Sequence, residues 1–141
     1  MITVKSVDAL PNARLRITLS SGRVVEVDVS EYLDEPGHTS LAKPAFFRKV
    51  GVEEWGHGVS WPDDIGIPVD ALLRLAQEQA GLAWPTQFFN AWMKRHGLSE
   101  RKAAKELGLT KKRVTRYLIG ATPIPKYIEL ACEGWELRLS K

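Results

Sequence analysis

The chain has a single cysteine, Cys132, among its 141 residues, so no disulfide can close within it. That usage fits a reducing compartment, and the cytoplasm is the expected location. No run approaches the roughly 20 apolar residues needed to cross a bilayer. Met1-Ile2-Thr3-Val4 is not a basic stretch leading into an apolar one, so no secretory signal is expected. Internal repeats and low-complexity tracts are missing too. His38 and His57 lie near Asp34, Glu35, Glu53, Glu54, Asp63 and Asp64, but their spacing matches no metal-ligand pattern. Solvated acidic loops explain these residues better than acid–base chemistry does, so no enzyme activity, metal or other cofactor is expected.

What is present has an ordinary globular balance, 44% hydrophobic and 26% charged residues, in a length suited to one domain or two very small ones. The formal charge of +3 conceals an asymmetry. Residues 1–80 carry 8 Lys/Arg against 12 Asp/Glu, a net of −4, whereas residues 81–141 carry 12 against 5, a net of +7. Such a division points to a polyanionic partner for the second half. Within that half Lys94, Arg95, Arg101, Lys102, Lys105, Lys111, Lys112, Arg113 and Arg116 face only Glu100 and Glu106. A charge run alone is usually a solvated face, so its place within a motif has to decide.

Periodicity divides the chain in the same way. Residues Ile2 to Val7, Leu15 to Leu19 and Val25 to Val29 alternate apolar and polar, and Ser20-Ser21-Gly22-Arg23 is a turn signal between the last two. An antiparallel hairpin is predicted there. A single helical turn is expected at Ser30–Leu33 and a short helix at Pro44–Lys49, followed by short strands at Val50–Trp55 and Val59–Trp61. From Pro68, taken as a first helical residue, Val69, Leu72, Leu73 and Ala76 share one helix face. Gly81 and Pro85 then mark a boundary. The expectation is an α+β domain over residues 1–80, with a small antiparallel β-sheet and short helices, and an all-α domain over 81–141.

In the second domain Thr86, Ser99 and Thr110 are candidate helix caps, and Gly97 is a stop. Phe88, Phe89, Trp92 and Met93 are expected on the buried side of the helix from Thr86 to His96. A fourth helix is expected at Ile124–Cys132, with Ile128 and Ala131 inward, while Trp135 to Leu139 reads equally as strand or tail. Cys132 reads as a buried small hydrophobe. The five tryptophans read as core or interface residues, with Trp61 and Trp84 as minor candidates to line a groove.

The stretch Leu98 to Gly120 carries the functional signal. Two helices that cross steeply need a small residue where their backbones meet, and Ala104 occupies that place. The turn needs a residue tolerant of positive φ, and Gly108 is there. Leu107, Leu109, Val114 and Leu118 lock the second helix to the first, and Tyr117 is expected to pack its ring with the hydroxyl outward. Lys111, Lys112, Arg113, Thr115 and Arg116 remain on the outer helix, where a major groove would lie.

Ala104, the glycine four residues on, the β-branched Val114 six after that, and Gly120 beyond the aromatic-containing helix together resemble the helix-turn-helix of lambda-repressor-like, or Xre-like, bacterial regulators. The likeness extends over about Phe88 to Trp135. One departure is Leu118-Ile119, where the family often has an acidic residue. The resemblance implies that Lys111, Lys112 and Arg116 meet base edges or phosphates of duplex DNA, alongside Thr110, Arg113 and Thr115. It implies that Ser99 and Arg101 touch the DNA backbone, with Thr122 and Lys126 reaching it from the following loop. It further implies a transcriptional regulator acting as a homodimer. With no Asn or Gln on the outer helix, electrostatics should dominate and base specificity is harder to read.

Residues Leu15–Leu19, Ser21-Gly22-Arg23, Val27-Asp28-Val29, Leu41, Pro44, Phe46-Phe47 and Val59-Ser60-Trp61-Pro62 are similar to the bacterial domain of unknown function 2442 family. That similarity implies a fold and no chemistry. Association of that family with toxin–antitoxin pairs implies an alternative reading, an antitoxin-like module that holds a toxin-like protein partner through residues 1–80. The plainest alternative for the second half is a packed helical hairpin with an exposed basic face.

Overall fold

A computed structural model describes residues 2–140. Among these residues it is a mixed α/β protein with small antiparallel sheets and six α-helices, and it divides into two compact units, the first ending at Gln79 and the second starting at Ala80.

The first unit holds two three-stranded antiparallel meanders. β1 (Val4–Leu10), β2 (Arg14–Leu19) and β3 (Val24–Asp28) make one sheet. Alternation along β2 turns Leu15, Ile17 and Leu19 into the core and leaves Arg14 and Arg16 in solvent. The register sets Leu15 opposite Val27 and Ile17 opposite Val25, so apolar side chains meet across strands. After a 3-10 turn at Ser30–Asp34 and another at Thr39–Ala42 comes α1 (Pro44–Phe47), with proline in its first turn. β4 (Gly51–Val52), β5 (Gly58–Trp61) and β6 (Ile65–Pro68) form the second sheet. Both sheets and α2 (Val69–Gln79) contribute to one core, in which Leu15, Val27, Val59, Ile67, Leu72 and Leu75 are almost fully buried.

Several local expectations for this unit change. Pro68 ends β6 rather than starting the helix, because Ile65 and Ile67 alternate with Gly66 and pair against β5. A strand of only four residues gives too short a pattern to recognise beforehand. The strand expected through Trp55 stops at Val52, and Glu54–Gly56 coils into a 3-10 turn. Trp55 there has a left-handed φ of 66° and stands 78% exposed, outside the core. Arg74 is buried on α2, where its guanidinium meets Glu78 at 2.7 Å and Glu31 at 3.6 Å. Gln79 closes α2 onto β3 by accepting from the Asp28 N–H at 2.9 Å and donating to its carbonyl at 2.7 Å.

The second unit contains β7 (Ala83–Trp84), α3 (Thr86–Arg95), α4 (Glu100–Leu107), α5 (Lys111–Leu118), β8 (Ile124–Pro125) and α6 (Lys126–Leu139). β7 and β8 pair antiparallel, a two-residue clip that sets the start of α3 beside the start of α6. Phe89, Trp92, Met93, Ala103, Ala104, Val114, Tyr117, Ile124, Ile128 and Cys132 form the core. Phe89 stacks on Trp92 with ring centroids 5.9 Å apart and meets Tyr117 edge-on at 5.8 Å.

Here too some expectations change. Pro85 precedes α3, and Thr86 is its first helical residue rather than the residue before it. Phe88 is half exposed, since it lies one residue off the face defined by Phe89, Trp92 and Met93. Trp135 to Leu139 is helical. Trp135 packs on Trp92 at 5.3 Å and on His96 at 4.9 Å, whereas Leu137 and Leu139 are exposed. Ala131 faces solvent while Ile128 and Cys132, four residues apart, face the core. Burial pushes the Cys132 thiol up to about 12.

Candidate nucleic-acid interface

The interface is built on α4, its turn and α5. Ser99 begins α4 in an extended conformation, and its Oγ accepts the Lys102 N–H at 3.1 Å. Thr110 does the same for α5, accepting the Arg113 N–H at 3.1 Å. Each hydroxyl satisfies a donor that a helix start leaves without an intrahelical partner. Between them Gly108 takes φ 72° and ψ 31°, and Leu109 donates back to the Ala104 carbonyl at 2.8 Å. A Cβ on Gly108 would meet nothing within 4 Å, so backbone conformation, not space, calls for glycine there. Ala103 and Ala104 are buried, and their small side chains let α4 approach Val114 and Tyr117 of α5.

Burial along α5 fixes its outer face. Val114 and Tyr117 are fully buried and Leu118 is half-buried, while Lys111, Lys112, Arg113 and Arg116 are exposed. At 3.6 residues per turn, Lys112 and Arg116 form an i, i+4 pair on the side opposite Val114. Lys111 lies on one flank and Arg113 on the other. Arg116 Nε donates to Thr122 Oγ1 at 3.0 Å, which steadies the guanidinium. Thr115 is half-buried and its hydroxyl is already engaged, donating to Glu100 and lying 3.0 Å from the Lys111 carbonyl. It therefore ties α5 to α4 rather than offering a free outward hydroxyl. Arg101 is exposed in the first turn of α4, and Lys126 is the exposed first residue of α6. The predicted residues thus gather around α5 and the two caps, with Lys126 carried on the neighbouring helix.

The Tyr117 hydroxyl does not turn outward. Its oxygen is buried, and neither it nor Trp92 Nε1 has a hydrogen-bond partner of ordinary geometry among the described residues. The phenol still lies close enough to Arg113 to raise the guanidinium above its ordinary pKa. Glu100 was not foreseen as a positioning residue, since its partner Thr115 lies 15 positions away and no local pattern marks the pair. Lys102 and Lys105 add exposed cations on α4, with Lys102 paired to Glu106 at 3.6 Å. Elsewhere, His96 and Arg95 meet Glu136 at 3.1 and 3.2 Å, joining the end of α3 to α6.

The residues considered for other chemistry are dispersed. Among the described residues no group of three His, Cys, Asp or Glu converges to hold a metal ion. His38 Nδ1 lies 2.8 Å from the Tyr32 carbonyl and 3.6 Å from Glu35, while His57 is exposed. Trp61 is buried with its indole N–H on the Phe47 carbonyl at 2.8 Å, and Trp84 packs edge-on against Phe89 at 6.1 Å. No helix among the described residues is long and apolar enough to cross a membrane.

Residues 4–78 match the family described as "Protein of unknown function (DUF2442)". The chain belongs to this family. The matched segment of this DUF2442 protein coincides with its first unit and ends just short of Gln79. A crystal structure from Nitrosomonas europaea, named "Putative DNA Binding Protein", is similar at 38% identity and a TM-score of 0.59. The similarity covers 96% of this chain and 87% of that one, so it includes the helical second unit. No curated protein matches the DUF2442 chain.

Proposed function

We propose that the second unit binds duplex DNA as a lambda-repressor-like helix-turn-helix, with α5 in the major groove, and that the protein is a transcriptional regulator. The observation that carries this reading is the outer face of α5. There Lys112 and Arg116 stand opposite a fully buried Val114 on a helix fixed at its start by Thr110 and toward its end by Tyr117. The net charge of +7 over residues 81–141 supports it, as does the name given to the Nitrosomonas europaea protein. Arg116, oriented by Thr122, is the residue for bidentate contact with a guanine edge or a phosphate. Lys111, Lys112 and Arg113 supply charge toward phosphates, with Arg101 and Lys126 at the margins and Ser99 and Thr110 holding the helix starts against the backbone. Thr115 acts indirectly, through Glu100. Two copies would read two half-sites. The exposed Tyr127, Leu130 and Leu137 of α6 offer an apolar face for the second copy.

Binding of the full chain to its own promoter fragment, set against unrelated DNA of equal length at low and moderate salt, tests the reading. Specific binding that weakens steeply with salt is expected. No binding at low salt would overturn it and favour a protein partner held through residues 1–80.

A further inference from the structure

A cavity of about 620 Å³ opens in the first unit between the β1–β2 turn and the segment carrying α1. That volume falls in the range of several hundred Å³ usual for small-molecule sites. Leu10, Ala13, Leu33, Leu41 and Phe47 supply most of an apolar wall, in which, among the described residues, Arg48 is the single charged residue and Asn12 the single neutral polar one. Among the described residues no carboxylate lines it. The charge of the chain segment that carries Arg48 runs against the character of the unit. Residues 1–80 are net acidic, yet Lys43, Arg48 and Lys49, three of their eight Lys/Arg, fall within seven residues with no acid between them. None of the three pairs with a carboxylate among the described residues.

An apolar cavity with one lining cation suits a ligand with an apolar body and one negative charge. A phosphate dianion would seek several converging donors, and this wall has one guanidinium. A wholly apolar ligand would leave the cation and the basic segment without a role. We propose that this cavity is a binding site for a small carboxylic acid with an aromatic or similarly compact apolar body. Its carboxylate is held by Arg48 and its body lies against Leu33, Leu41 and Phe47. The site stands independently of DNA binding by the second unit.

Amide NMR spectra of the full chain, titrated with 2-naphthoate and with its neutral analogue 2-naphthamide, test the assignment. Saturable shifts at Ala13, Leu41 and Phe47 are expected with 2-naphthoate, at an affinity about tenfold or more above that of the amide. Arg48→Gln, at an exposed position, should remove that advantage while leaving the amide unchanged. Ala42→Trp, also exposed on the cavity rim, should block both ligands. Two results would overturn the proposal. One is the absence of saturable shifts at millimolar 2-naphthoate, and the other is equal binding of acid and amide by the unaltered chain.

Discussion

Replacing Gly108 with alanine separates the two reasons a protein can require glycine. At φ 72° and ψ 31° the residue sits in the left-handed region, where an L side chain costs roughly 1–2 kcal/mol. The added methyl would meet nothing within 4 Å, so no packing term joins that cost. For a unit of this size each kcal/mol lowers the melting midpoint by about 4–8 °C. Gly108→Asn should lose less, because asparagine tolerates this conformation better. Gly58 provides the contrast. Its φ is ordinary, but a Cβ there would fall on the Ile67 carbonyl oxygen and 2.9 Å from Pro68 Cα, so β5 and β6 would have to part. Gly58→Ala should therefore cost more than Gly108→Ala and should act on the first unit. Thermal unfolding followed by circular dichroism, with amide NMR to assign each loss to its unit, reads both effects. Equal stability of Gly108→Ala and the unaltered chain would refute the left-handed turn. A loss above about 4 kcal/mol would show that contact, not conformation, selects glycine.

Three further outcomes follow from the same geometry. Ser99→Ala and Thr110→Ala should each destabilise the second unit by about 1 kcal/mol, read by denaturant unfolding, because each removes the acceptor for a helix-start N–H. Hydrogen bonding from His96, with Arg95 nearby, holds the Glu136 carboxyl below its ordinary range. Its stabilising contribution is therefore complete above the carboxyl's unfolded pKa and is lost as pH falls through the lower folded value. An acid titration of tryptophan fluorescence should show that loss in the unaltered chain and a flatter profile in Glu136→Gln. Cys132, with its thiol pushed up to about 12 by burial, should react with an aromatic disulfide reagent only as the second unit unfolds. Rapid labelling of the folded protein would contradict its placement.

The parts of the site legible in the sequence were those with local causes. Ser99, Gly108 and Thr110 act on backbone groups within four residues, so residue type and spacing reveal them. The β2–β3 hairpin is legible for the same reason, with five alternating residues on each side of a glycine turn. Contacts that join distant residues left no such pattern. Thr115 reads as an outward polar residue until Glu100 of α4 is seen to take its hydroxyl. β7 and β8 are two residues each and exist through pairing with one another across about forty positions, Ala83 with Pro125 and Trp84 with Ile124. Trp135, Leu137 and Leu139 alternate as a strand would, but Trp135 is drawn into a helix by its packing on Trp92 and His96. The cavity beside Arg48 arises where the β1–β2 turn, both 3-10 turns before α1 and α1 itself converge, and none of those segments announces it alone.

The central claim is that the outer face of α5 lies against DNA. It is tested most directly by the salt dependence of DNA binding in the full chain and in Lys112→Ala, Arg116→Ala and Lys5→Ala, the last an exposed residue of the first unit serving as control. Each α5 variant that loses a phosphate contact should weaken binding and reduce the slope of log K against log salt by about 0.9, while Lys5→Ala leaves both unchanged. Affinities and slopes that are the same in all four proteins would contradict the claim.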